Sequence, residues 1–156
     1  MIISKEGRNV FKRFCLIALG IPTTLLVFVL ALYFFPLAIE KAQVSTMVLN
    51  VAAACLGLIG LGIWLFFGQY LYGRLWKLYP DVTTREKAVS YAMGVFGFLG
   101  VGTSMVSVLG LFYYLFSGDV TRGVVLIGVS VILALVESAR FPGRFDRVER
   151  IIAELE

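Results

Sequence analysis

Four stretches of this chain carry no charged side chain, and they constrain the fold more than any motif does. They run between Phe14 and Ile39, Ala42 and Gly73, Ala88 and Gly118, and Gly123 and Val136. A helix that crosses a bilayer needs ~20 predominantly apolar residues, with a range of ~17–25. The first three stretches exceed that length. The fourth reaches it only if Arg122 and Glu137 serve as ends that extend toward the interface. The spacing therefore predicts an all-α integral membrane four-helix bundle built as two antiparallel hairpins. It forms a single domain over residues 1–140, with spans at about 14–37, 45–68, 88–116 and 120–139. A cytoplasmic tail follows at 141–156. Composition agrees: 60% of residues are hydrophobic and 15% charged, against ~45–50% and ~25% in soluble domains. No room is left for a soluble domain.

The net charge of +4 reads as a topology signal, not a nucleic-acid footprint. Four basic residues precede the first span (Lys5, Arg8, Lys12, Arg13), four lie in the middle loop (Arg74, Lys77, Arg85, Lys87) and four in the tail (Arg140, Arg144, Arg147, Arg150). The other two loops hold only Lys41 and Arg122. The bias of Lys and Arg toward the cytoplasmic side predicts that both termini and the middle loop are cytoplasmic, in a multi-pass protein of the plasma membrane. The basic lead and apolar run resemble a secretory signal peptide. However, the run is about twice a typical h-region of ~7–15 residues and lacks an A-x-A site, so an uncleaved first helix is expected.

Pro22 lies within the first span, where its missing N–H predicts a kink. Thr23 or Thr24 is expected to answer the freed carbonyls. Thr83, Thr84, Arg85 and Glu86 have the Thr-x-x-Glu form of a capping box, which marks the start of the third helix. Pro142 and Gly143 are expected to stop the fourth. Phe145, Val148, Ile151, Ile152 and Leu155 then predict a short C-terminal amphipathic helix, too short to persist alone in water. From Arg144 to Glu156 it holds three basic and four acidic residues. That mixture favours docking on protein, either its own middle loop or another chain, because lipid-binding helices are rich in Lys and Arg.

Small residues are the main pattern inside the spans. In the third helix Ser90, Met93, Gly97, Gly100, Ser104, Ser107 and Leu111 step by three and four and so share a face. In the second, Thr46, Asn50, Ala53, Gly57, Gly60, Trp64 and Phe67 do the same. Small faces let helix backbones approach closely in a membrane, so these two faces are expected to meet in antiparallel sense. The helix-packing positions are Ser90, Gly97, Gly100, Ser104, Ser107, Asn50, Gly57 and Gly60. The hydroxyls of Thr103, Ser104 and Ser107 can bond to carbonyls of the preceding turn. Tyr72, Arg74, Trp76 and Lys77 pattern as interfacial anchors on anionic lipid.

The available chemistry is thin. The chain has no His and two Cys. That excludes a Ser-His nucleophile and His-held haem or metal. Cys15 and Cys55 lie at depths too different for a disulfide and are expected to be buried small apolar residues. No pair of acids falls within a span. Glu137 is the one acid near the apolar region, and with Asn50 it forms a possible intramembrane polar or ion site. An ion pair to Arg140, three residues on, is the favoured structural reading. Asn50 reads first as a hydrogen-bonding link between helices and second as pore lining.

No enzyme, cofactor or metal is expected. The function read from these features is a non-catalytic scaffold or accessory subunit acting through helix–helix packing. The alternative is an oligomeric channel or small-solute or ion transporter. Expected partners are membrane lipids and another membrane protein or a second copy of this chain, not nucleic acid. The scaffold reading predicts that Gly97→Leu or Gly100→Leu disrupts packing or assembly.

Overall fold

The structure, a computed structural model, describes residues 5–34, 45–77 and 84–153. Within them every element is helical: α1 (Lys5–Ala18), α2 (Gly20–Phe34), α3 (Thr46–Leu65), a π-helical turn (Phe66–Leu71), α4 (Tyr72–Lys77), α5 (Arg85–Ser117) and α6 (Val120–Ala153). Four continuous rods are long and apolar enough to cross a membrane: Gly7–Phe34, Thr46–Arg74, Arg85–Ser117 and Val120–Arg150.

The break between α1 and α2 falls at Leu19, four residues after Cys15, whose carbonyl accepts the Leu19 amide at 2.9 Å. Pro22 explains it. Proline has no amide to give the Ala18 carbonyl, so the ladder is interrupted there. Thr24 Oγ1 donates to the Gly20 carbonyl at 2.8 Å, one of the two threonines expected to do so, but not to the carbonyl that Pro22 frees.

Two caps set the register of the next rods. Ser45 accepts the Val48 amide at 3.4 Å and starts α3. Thr84, one residue later than the capping box implies, accepts the Lys87 amide at 3.4 Å and starts α5. The turn between α5 and α6 needs its glycine. Gly118 has φ 65°, the left-handed region that glycine enters at little cost. Its amide reaches the Tyr114 carbonyl at 2.8 Å.

Helices α5 and α6 form the central hairpin. A β-carbon on Gly110 would stand 3.0 Å from the Gly123 carbonyl, and one on Gly123 would stand 2.9 Å from Tyr114 Cβ. Seven residues further from the turn on each arm, Ser130 Oγ donates to the Thr103 carbonyl at 2.9 Å. The rod formed by α3 and the π turn packs antiparallel to α5, with Gly60 on Val106, Gly102 on Phe67 and Tyr113 Oη donating to the Leu49 carbonyl at 3.2 Å. It runs parallel to α6, with Asn50 beside Arg122, Gly57 beside Leu126 and Gly68 beside Glu137.

Two clusters fill the interior. Near the α5–α6 turn lie Val29, Leu32, Tyr114 and Ile127. At the opposite end, where the N-terminal part of α1 meets the C-terminal part of α6, lie Val10, Phe14, Val95, Phe96, Leu99, Phe141, Phe145 and Val148, among others. This second cluster corrects the expected stop at Pro142. Helix α6 runs unbroken from Val120 through Pro142 to Ala153, so residues 141–153 extend the fourth helix and are not a separate one. A proline inside a helix costs ~3 kcal/mol. Burying Phe141, Phe145 and Val148 at ~1.5–3 kcal/mol each outweighs that. The side chains of Ile151 and Ile152, and all of Leu155, lie outside the described residues.

Candidate functional site

The polar residues gather at two levels. Near the α5–α6 turn, Arg122 donates from Nε and Nη2 to Asn50 Oδ1 at 2.9 and 2.7 Å. Its Nη1 pairs with Asp119 Oδ2. Asp119 Oδ1 also accepts the Arg122 amide at 3.2 Å, so Asp119 caps α6. Burial pushes the Asp119 carboxyl up. The Arg122 amide, guanidinium and charge, with the Thr121 amide, outweigh that and hold it below the usual carboxylate range. Asn50 is thus an exposed acceptor that ties α3 to α6.

The second level surrounds Glu137 and is the candidate site. Glu137 lies on α6 with its side chain 0% exposed. Its Oε2 stands 2.7 Å from Arg144 Nη1, and its Oε1 stands 3.5 Å from Arg140 Nη1. Arg140 is the partner expected from the sequence; Arg144, seven residues on and across two turns, is the closer one. The Arg144 contact brings the charges together off the line of an ideal hydrogen bond. The guanidinium of Arg144 also lies 4.7 Å over the Tyr72 ring, and Tyr72 Oη donates to the Arg144 carbonyl at 3.4 Å. From α3, the half-buried Trp64 turns its buried indole nitrogen toward the same carboxylate, again without good alignment. Arg140 spans outward over the Trp64 ring, 5.9 Å from its centre.

The π turn makes room for this arrangement. Within it the Tyr72 amide reaches the Phe67 carbonyl, five residues back. The extra residue brings Gly68 against the carboxylate, where a β-carbon would stand 3.6 Å from Glu137 Oε1. Phe67, one position earlier, covers Gly102 of α5. A π turn interrupting an α-helix often marks a functional position.

The expected packing positions separate onto different neighbours. Gly57 faces Leu126, Gly60 faces Val106, and Gly100 faces Ile17 and the Phe14 carbonyl of α1. Nothing approaches a β-carbon position on Gly97 within 4 Å, and Ser90 is exposed. Ser104 and Ser107 are buried and donate to the Val101 and Ser104 carbonyls, while Thr103 donates to Leu99. The glycines in tightest contact, Gly102, Gly110 and Gly123, fall outside the three-and-four stripes.

Among the expected interfacial anchors, Tyr72 turns inward, with its ring centre 5.9 Å from that of Phe96. Arg74 is exposed and donates to Tyr70 Oη at 2.8 Å. Trp76 and Lys77 close the backbone of α4, and their side chains lie outside the described residues. The expectation of two buried cysteines needs correction. Cys15 is half-buried, 3.9 Å from Ser138 Oγ, whereas Cys55 is exposed on α3, because α3 buries only one of its faces. Among the described residues no three His, Cys, Asp or Glu side chains gather as a metal site.

No protein family, curated protein or solved structure matches this chain.

Proposed function

We propose that the chain is an integral membrane protein of the plasma membrane, with both termini and the middle loop cytoplasmic, that acts as a non-catalytic scaffold or accessory subunit. The orientation follows from the twelve-to-two division of basic residues. The observation that carries the functional reading is the state of Glu137. The one acid inside the bundle among the described residues has no exposed surface, and its charge is met by Arg144 at 2.7 Å. A carboxylate so held is a structural tie, not a group offered to a passing ion. The outer face of α3 supports assembly: Ala54, Cys55 and Gly62 are exposed, and small residues there admit the backbone of another helix.

The test is extraction in mild detergent followed by mass analysis of what co-purifies, paired with flux measurements on reconstituted vesicles. A stoichiometric partner protein with no ion or solute flux under a voltage or pH gradient is the expected result. A discrete homo-oligomer with flux that depends on Glu137 would replace this reading with the channel or transporter.

A further inference from the structure

The Glu137 cluster holds more positive charge than its carboxylate can use. Arg144 takes the close position at 2.7 Å and is stacked on Tyr72. Arg140 is left at 3.5 Å from the same carboxylate with a side chain 47% exposed. One negative and two positive charges therefore leave one cation in surplus, and Arg140 is the member that reaches the surface.

Its depth indicates what would meet it. Twenty residues separate Val120, the first of α6, from Arg140, a rise of ~30 Å. That is the thickness of a bilayer's hydrocarbon core, ~30 Å. Arg140 thus falls at the headgroup level of the leaflet opposite the α5–α6 turn, with Glu137 one turn deeper. Tyr70 lies the same number of residues along its own rod from Asn50, which is bonded to Arg122. Tyr70 and Arg74 form a hydroxyl–guanidinium pair near that level, and the Tyr70 ring stacks on Phe66 with centres 5.4 Å apart. A cation with free guanidinium donors and an aromatic rim between two helices is suited to a phosphate.

We propose that Arg140, set against the Trp64 indole, is a phosphate-binding site between the C-terminal end of α3 and α6, filled in the membrane by the headgroup of an anionic phospholipid. Arg144 and Glu137 hold the site in place as a neutral pair and do not themselves bind the lipid. The inference rests on the membrane reading above but not on the scaffold function.

The chain has two tryptophans, so Trp76→Phe leaves Trp64 as the sole tryptophan, which is excited selectively beyond the tyrosine absorption band. This full-length variant is placed in nanodiscs of phosphatidylcholine, and brominated phosphatidylglycerol or brominated phosphatidylcholine is titrated in. Trp64 quenching should favour phosphatidylglycerol about fivefold, the preference one basic side chain confers at a membrane surface. Arg140→Gln should bring that ratio to about one, Arg140→Lys should retain most of it, and Arg147→Gln should leave it unchanged. A parallel arm adds inorganic phosphate to the same nanodiscs at constant ionic strength. A preference that persists there assigns the site to the lipid headgroup, and loss of the preference reassigns it to a soluble phosphate and overturns the lipid assignment. Equal quenching by both lipids, or an unchanged ratio in Arg140→Gln, overturns the proposal. A protein that fails to enter nanodiscs overturns the membrane reading together with it.

Discussion

Replacing Arg144 by Ala is the most direct perturbation of the buried cluster. Glu137 is 0% exposed, and Arg144 supplies its closest countercharge, at 2.7 Å with 14% side-chain exposure. Removing one partner of a buried pair costs ~3–5 kcal/mol, because the other charge stays buried without compensation. Arg140 is already 3.5 Å from the second carboxylate oxygen and can close on it, which keeps the cost near the lower value, ~3 kcal/mol. The stacking of Arg144 on Tyr72, 4.7 Å from the ring centre, is lost in the same step and falls within that figure. The double replacement Glu137→Leu with Arg144→Met removes both buried charges and should restore stability to within ~1 kcal/mol of the parent, since apolar residues of similar volume often replace a buried pair at no cost. The assay is denaturant unfolding of the purified protein in detergent micelles, followed by helical circular dichroism and analysed as a double-mutant cycle. An Arg144→Ala protein within ~0.5 kcal/mol of the parent, the range of an ordinary surface change, would refute the reasoning. So would a double variant as unstable as the sum of the two single ones.

Glycine positions should separate by what they touch. Gly102→Ala drives a β-carbon into Phe67 and should cost ~1–3 kcal/mol in the same unfolding assay, whereas Gly97→Ala meets nothing within 4 Å and should be neutral or stabilising by up to ~1 kcal/mol. Asn50→Leu removes the acceptor of two Arg122 hydrogen bonds and should cost ~0.6–1.7 kcal/mol, the measured span for polar links between membrane helices. The Asp119 carboxyl is held below its ordinary value, so the unfolded chain binds the proton more readily. Its contribution is therefore complete above a pH of about 4 and is lost as pH falls through the lower folded value. Asp119→Asn should flatten that acid limb of a stability–pH curve without changing the neutral region.

Much of the fold was legible because charge and apolarity act through length alone. The four rods follow from charge-free runs, and the start of α5 from the Thr-x-x-Glu pattern, although the cap is Thr84 and not the Thr83 that the pattern names. What escaped the sequence depends on which neighbour each face meets. Gly57, Gly60 and Gly100 were legible as places of close approach, but nothing in a three-and-four stripe says that Gly57 meets α6, Gly60 meets α5 and Gly100 meets α1. Pro142 was misread because a local cost of ~3 kcal/mol says nothing of the distant Phe14 and Phe96 that Phe141 packs against, with ring centres 6.0 and 4.6 Å away. Glu137 was visible as the acid of the fourth span, and Arg140 as its neighbour. The closer partner was not, since Arg144 lay beyond the supposed helix end and became available only when α6 ran on through Pro142.

That continuity explains why a π turn occurs in the second rod and where it occurs. An α6 that persists past Pro142 carries Arg144 back over Glu137, and the resulting pair occupies width between α6 and the second rod. A regular α-helix would have to present a side chain or a tighter backbone at that level. The six-residue π turn from Phe66 to Leu71 widens the rod by one residue, places Gly68 at the carboxylate, and keeps Phe67 on Gly102 of α5. Tyr72, the first residue of α4, then falls under the Arg144 guanidinium. Three neighbouring positions on one rod thus serve α5, the carboxylate and its countercharge. Each needs its own direction, and the one-residue change in pitch supplies all three. The buried pair, the unbroken sixth helix and the π turn are therefore one structural solution, in which removing any member leaves the other two without their geometric reason.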